Sequence, residues 1–221
     1  MRIPLASYGW KEIILFSSAM FAGCLLSAIF FSYVFPLFLF GLVFVIYFFR
    51  DPERVIPEGD GTLVSPADGT IVEISEIFED NFLKSDAIKI SIFMSVASVH
   101  VNRVPFTGVV RYIKHKSGKF LDARIPKCSE YNEQNILGLT LNKSDIKIAV
   151  KQIAGQIARR IVCDCEVGQD LQKGRRFGMI KFGSRLEVFL PKDLGFDLGV
   201  KIGQKVAAGE TVLGTIDTTC L

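Results

Sequence analysis

The pair Gly183-Ser184, set in RRFGMIKFGSRLEVFLP, is the first place where residue types could do chemistry. A serine hydroxyl can attack the carbonyl of the residue before it and turn that peptide bond into an ester. Glycine before the serine leaves room for the approach. The same pair also has an ordinary reading. Ile180-Lys181-Phe182 and Leu186-Glu187-Val188 both alternate apolar with polar, and a Gly-Ser joint between such runs is a hairpin signal of type II′. From these residues alone both readings stand.

The other reactive side chains are few. The chain has two histidines. His100 lies between Val99 and Val101, an apolar setting in which a small shift of its titration would matter. His115 stands among cations in RYIKHKSGKF. Asp68-Gly69 reads as a turn. Cys163-Asp164-Cys165 offers two thiols on one strand face. With no second cysteine pair and only two histidines, zinc lacks a ligand set and no metal is expected. The five cysteines are odd in number and do not suggest a disulfide framework.

Something must position these groups, and the sequence offers two kinds of element. From Ile13 to Phe49 no residue is charged, whereas Lys11, Glu12, Arg50, Asp51, Glu53 and Arg54 crowd its ends. One crossing of a bilayer takes roughly 20 apolar residues, so the run suits two helices with a break near Pro36, or one long kinked helix. The flanking cations put both ends of a hairpin in the cytoplasm. The run exceeds the apolar core of a signal peptide and no small-residue cleavage site closes it.

After Pro57 the signals become short β runs between turn residues. They cover Thr62 to Ser65, Thr70 to Ile74, Ile88 to Phe93, Gly108 to Ile113, Asn135 to Leu141, Ile146 to Ile153, Gln156 to Cys163 and Thr211 to Ile216. The fold class is mainly β (α+β). Gly-punctuated strand pairs at both ends are similar to the barrel-sandwich hybrid of lipoyl and biotinyl carriers. The two turns carry Asp68 and Glu210 where a carrier presents lysine, which argues against a swinging arm. The net charge of +3 implies no general affinity for nucleic acid. Positive charge gathers locally at Arg159, Arg160, Lys173, Arg175, Arg176, Lys181 and Arg185. That cluster is either a solvated face or, beside a membrane anchor, a surface for lipid phosphates.

Several stretches occurring in order resemble one family, the phosphatidylserine decarboxylases in their short, membrane-anchored form. They are FFRDPER, SPADG, HVNRVPF, GKFLDAR with NEQN, the block ARRIVCDCEVGQDLQKGRRFGMIKFGSRLEVFLP, and GQKVAAGETVLG. The resemblance implies that Ser184 attacks the Gly183 carbonyl and that loss of the Ser184 α-proton expels the Gly183 carboxylate. Loss of ammonia then leaves a pyruvoyl cofactor at residue 184. It further implies decarboxylation of phosphatidylserine to phosphatidylethanolamine, with the pyruvoyl carbonyl as electron sink.

Residue roles follow by match. Asp68, in the SPADG motif, takes an orienting or base role. His100 is the candidate proton donor to the substrate carbon. Long forms of the family carry His-x-x-His-x-Pro, and here the second histidine is Arg103, which stays protonated and cannot act as a base. The proton acceptor in self-cleavage is left open among His100, Asp68 and water. Arg103, Arg176 and Arg185 are the candidates for the substrate phosphate.

The expected organisation is a cytoplasmic N-terminus (1–12), a membrane anchor (13–49) and a catalytic domain (50–221), cut into chains 1–183 and 184–221. The expected location is the cell membrane, facing the cytoplasm. The expected partners are the phospholipid substrate, the membrane and the two chains of one precursor, with no nucleic acid; the oligomeric state is left open, a homo-oligomer included. Two rival readings are the same chemistry on an ether-lipid analogue, and a non-catalytic, membrane-tethered β module in which Gly183-Ser184 only turns a hairpin.

Overall fold

A computed structural model describes residues 4–59, 61–141, 145–156, 160–181 and 183–216. The chain divides into two compact units, Met1–Glu53 and Arg54–Leu221.

The first unit is a pair of helices. Helix α1 covers Trp10–Phe30 and α2 covers Phe35–Phe48. The apolar run breaks at Phe31, where φ is −147°, and one 3-10 turn, Ser32–Val34, leads to Pro36 in the first turn of α2. Proline is tolerated there because its missing N–H is one that a helix start leaves unbonded anyway. Two helices rather than one kinked helix result. They pack antiparallel through small residues: a Cβ on Gly23 would fall 2.3 Å from the Phe38 ring, and one on Gly41 2.6 Å from the Met20 sulfur. Leu5 and Arg50 form an antiparallel bridge at the open end, and Arg50 caps α2 by donating to the Tyr47 carbonyl at 2.7 Å. The outward faces stay apolar, with Ile29, Phe30, Leu37 and Phe40 exposed. The span Ser7–Phe30 is long and apolar enough to cross a membrane by length and composition. At 1.5 Å per residue α2 reaches only about 20 Å, short of a ~30 Å hydrocarbon core.

The second unit is mostly β. Its largest sheet has eight strands in the order β13-β2-β3-β11-β7-β6-β5-β9. In chain order these are β2 (Gly69–Glu79), β3 (Ser85–Met94), β5 (Gly108–Lys116), β6 (Gln134–Leu141), β7 (Lys147–Ile153), β9 (Asp170–Leu171), β11 (Ser184–Pro191) and β13 (Lys205–Val206). A second sheet sets β10 (Arg176–Ile180) between β4 (Val101–Arg103) and β8 (Ile161–Cys163). A third sets β14 (Val212–Ile216) between β1 (Thr62–Val64) and β12 (Phe196–Leu198). Among the described residues every pair of these strands is antiparallel. Among the described residues the first and last strands pair with each other, and one short α-helix, α3 (Cys128–Tyr131), and one 3-10 turn, Lys192–Leu194, interrupt the β run.

Strand alternation sorts β11 cleanly. Leu186, Val188 and Leu190 enter the main core with Ile90, Ile92 and Val150. Arg185 and Glu187 face the other side, where Arg185 Nε donates to Glu187 at 3.1 Å and Arg185 also pairs with Glu73. Lys89 sits 2.6 Å from Glu73 on that face. Burial alone would raise the Glu73 pKa, but the Lys89 and Ser75 hydrogen bonds and the charges of Lys89 and Arg185 hold it below the usual carboxylate range.

The hairpin expectation fails here. β10 pairs with β4 and β8, whereas β11 pairs with β3 and β7. Ile180 and Leu186 therefore lie in different sheets and do not face each other across a hairpin. Phe182 lies outside the described residues. After the joint the alternating run Leu186-Glu187-Val188 lies in β11, whereas of the run before it only Ile180 lies in a strand; alternation also does not say which neighbour a strand takes.

Candidate active site

Ser184 opens β11 opposite Met94, the last residue of β3. Being two places before Leu186, it shares the core face, and it is fully buried. Its hydroxyl donates to the Met94 sulfur at 3.3 Å. Gly183 has φ +62°, in the left-handed region that favours glycine. A Cβ there would meet nothing within 4 Å, so the backbone angle and not crowding selects the residue.

A chain of buried amides surrounds this joint. Asn102 Nδ2 reaches the same Met94 sulfur at 3.9 Å. Its Oδ1 accepts from Gln152 Nε2 at 2.9 Å, and Gln152 Oε1 accepts from Asn135 Nδ2 at 3.1 Å. Sequence reading missed Met94, Asn102 and Gln152. Met94 merely continues an apolar alternation, Gln152 sits in a strand with no local motif around it, and Asn102, though inside HVNRVPF, was passed over for its neighbours His100 and Arg103.

His100 is fully buried just before β4, and its carbonyl accepts from the Ile180 N–H at 3.3 Å. The histidine backbone is thereby tied to the strand that leads into 183–184. Its Nδ1 lies 2.9 Å from the Ser98 carbonyl. A carbonyl only accepts, so Nδ1 carries the hydrogen and the neutral ring keeps its lone pair on Nε2.

Asp68 and Arg103 gather elsewhere. Thr70 pairs with Phe93 while Ser184 pairs with Met94, so β2 and β11 flank β3 on opposite sides. Two strand spacings amount to about 10 Å. The Asp68 carboxylate takes Arg54 Nη2 at 2.9 Å and the Ala208 N–H at 2.7 Å. Arg54 Nη1 continues to Glu210 at 2.7 Å. Both turn carboxylates singled out in place of carrier lysines are thus held by one guanidinium. Arg103 alternates away from Asn102 on β4. Its Nη1 donates to the Gly174 carbonyl at 2.9 Å, and its N–H donates to the Pro66 carbonyl at 2.9 Å.

The cationic stretch does not form one patch. Arg185 is 1% exposed and faces the side of the sheet opposite Ser184, so the structure does not present it to a lipid phosphate. Lys181 and Arg103 are buried too. Lys173 Nζ donates to the Gly59 carbonyl at 2.9 Å. Arg159 lies outside the described residues. Arg176 is half-buried and stands directly opposite Arg103 in the β10–β4 pair.

The two thiols of Cys163 and Cys165 interact with each other. The hydrogen bond from Cys165 draws the Cys163 pKa down, and the same contact pushes Cys165 up. Among the described residues no group of three His, Cys, Asp or Glu side chains is arranged to hold a metal ion.

This architecture sets a buried serine after a left-handed glycine, at a crossing between two antiparallel sheets, with a buried histidine tied to the same crossing. Comparison with known proteins supplies the class. The family model for phosphatidylserine decarboxylase matches residues 42–214. The phosphatidylserine decarboxylase proenzyme of Desulfotalea psychrophila is 49% identical over 81% of this chain and 83% of its own length. That of Syntrophus aciditrophicus is 48% identical over 86% and 89%. That of Carboxydothermus hydrogenoformans is 42% identical over 98% and 99%. The chain belongs to the phosphatidylserine decarboxylase family, and it is a decarboxylase.

Proposed function

We propose that the chain is a precursor that breaks itself between Gly183 and Ser184 and then converts phosphatidylserine to phosphatidylethanolamine and CO2. The observation that carries this reading is the setting of that bond: a left-handed glycine, a buried serine, and a joint between two sheets where a hairpin would be idle.

Self-cleavage uses only this chain's atoms and one water. Ser184 Oγ adds to the Gly183 carbonyl carbon, the C–N bond breaks, and an ester with a free Ser184 amine results. Removal of the Ser184 α-proton expels the Gly183 carboxylate and leaves dehydroalanine. Its imine tautomer takes up water, releases ammonia and becomes the pyruvoyl group. The group keeps the serine carbon skeleton, so the buried space beside Met94 that holds Ser184 fits it.

Once formed, a pyruvoyl group supplies an electron sink for the pair released with CO2, as pyridoxal phosphate does. His100 carries the proton. Nδ1 is fixed on the Ser98 carbonyl, so Nε2 exchanges the proton at the carbon that has lost CO2. Asp68 has an orienting role. It fixes the SPADG turn, whose Pro66 carbonyl takes the Arg103 N–H and so holds β4, with Asn102 in it and His100 just before it. Arg176, the half-buried one of the three candidate arginines, pairs with the substrate phosphate. The apolar helices of residues 13–49 keep the catalytic domain, 50–221, at the membrane that holds the substrate. Their cationic flanks support a cytoplasmic side for it.

The test is an intact-mass spectrum of the purified protein, with and without borohydride. Expected are a fragment 1–183 and a ketone-blocked fragment 184–221 that gains the reduction mass, and a single unbroken chain for Ser184→Ala. An active enzyme that stays whole sinks the proposal.

A further inference from the structure

We infer that Gly155 is a positioning residue for self-cleavage, because it seats the carbonyl that Ser184 attacks. The inference rests on the Gly183-Ser184 break proposed above.

Gly155 lies two residues beyond β7. Arg185 pairs with Ile153, and two further steps of that antiparallel register bring Gly155 opposite Gly183. A Cβ built on Gly155 falls 1.9 Å from the Gly183 carbonyl oxygen and 3.0 Å from its carbon. Both contacts are with backbone, so no rotamer change relieves them. The third neighbour, the Ala123 methyl at 3.3 Å, is also tight, but far less so than the carbonyl oxygen.

The geometry divides the reacting groups. The Gly183 oxygen lies on the β7 side, against Gly155, while the Ser184 hydroxyl reaches the Met94 sulfur of β3 on the other. The carbon to be attacked is the one that carries this oxygen. A nucleophile must approach that carbon over a face of the carbonyl, away from its oxygen. A methyl at position 155 would drive the oxygen off its seat, and Gly183, unhindered around its own α-carbon, would rotate to let it go. The attack geometry would be lost although the strands stayed paired.

The experiment compares full-length Gly155→Ala with wild type, Ser184→Ala and a benign control, Gly199→Ala, whose nearest neighbour would be 3.6 Å from the added carbon. Fragment formation is followed by intact mass, folding by the thermal midpoint, and ester formation by hydroxylamine, which splits an ester and leaves an amide intact. Expected for Gly155→Ala are a midpoint within a few degrees of the Ser184→Ala precursor, cleavage slowed at least ~100-fold, and no fragment released by hydroxylamine. The Gly199→Ala control cleaves normally.

If Gly155→Ala does not fold, Gly155→Ala/Ala123→Gly removes the side-chain neighbour and keeps the carbonyl contact; it is expected to fold and stay whole. Either variant, folded and cleaving within about twofold of wild type, overturns the inference. Failure of both to fold makes Gly155 merely structural and overturns it too. Cleavage of Ser184→Ala would instead sink the proposed break itself.

Discussion

Arg54 Nη2 lies 2.9 Å from Asp68 Oδ2, and the same guanidinium reaches Glu210 through its other nitrogen. One residue therefore joins the SPADG turn before β2 to the turn before β14, two loops at opposite ends of the second unit's sequence. Removing it leaves two facing carboxylates in part-buried positions. Arg54→Ala should destabilise the protein by about 1–2 kcal/mol, more than a lone surface pair but less than a fully buried one. Denaturant titration checks this. A double cycle with Asp68→Asn should give a coupling energy of the same sign, and additive effects would show that the pair does not interact.

His100→Ala removes the group assigned to carry the proton. Decarboxylation per cleaved chain should fall by at least ~10²-fold, the usual contribution of a positioned acid or base. Cleavage is scored separately by intact mass, and decarboxylation by release of labelled CO2. Unchanged turnover in the variant would remove His100 from the mechanism.

Arg185 separates a structural arginine from a phosphate-binding one. Its charge is balanced on the buried face by Glu187 and Glu73. Arg185→Met should cost about 3 kcal/mol, because two carboxylates each lose a buried cationic partner, although Lys89 stays beside Glu73 and Ser129 still donates to Glu187. KM for the lipid should stay unchanged in whatever fraction folds. Arg176→Met should do the opposite, raising KM with little effect on the unfolding midpoint.

Glu79 gives the pH dependence. It is buried at the turn from β2 to β3, and its oxygens accept from the Asn81, Phe82 and Leu83 N–H groups at 3.0, 2.8 and 2.7 Å. Burial alone would raise its pKa, but these bonds outweigh that and hold it below the ordinary value of 4.5. A depressed folded-state pKa means that the stabilisation is complete above the unfolded value and is lost as pH falls through the folded one. Glu79→Gln should cost about 1–3 kcal/mol at pH 7. The penalty should shrink as pH drops below about 4.5. A penalty constant from pH 7 to pH 3 would refute the assignment.

Much of this architecture was legible in the sequence. The apolar run, its break near Pro36 and the longer β runs follow from periodicity and from proline and glycine punctuation, whereas the short strands β4, β9, β12 and β13 were not read. What the sequence hid was partnership between strands. Gly183-Ser184 carried a good hairpin signature, yet β10 and β11 enter different sheets, a choice made by long-range pairing with β4, β8, β3 and β7. The cationic cluster failed for a related reason. Arg185 and Lys181 are near Ser184 along the chain, but strand alternation and burial turn them to other uses. Gly155 was invisible because its constraint is a carbonyl nearly thirty residues away, whereas Ser184 stood out through a family motif.

β11 lies inside the large sheet, hydrogen-bonded along one edge to β3 and along the other to β7. A cut just before it turns an internal strand into a separate polypeptide clasped from both sides. Folding before the cut is a first-order event, whereas reassembly after it needs two molecules to meet and one to thread its strand between two others. Dilution should not separate the fragments, and denaturation should separate them for good. The mature protein would then owe its persistence to the height of its unfolding barrier, having given up the route by which it first folded.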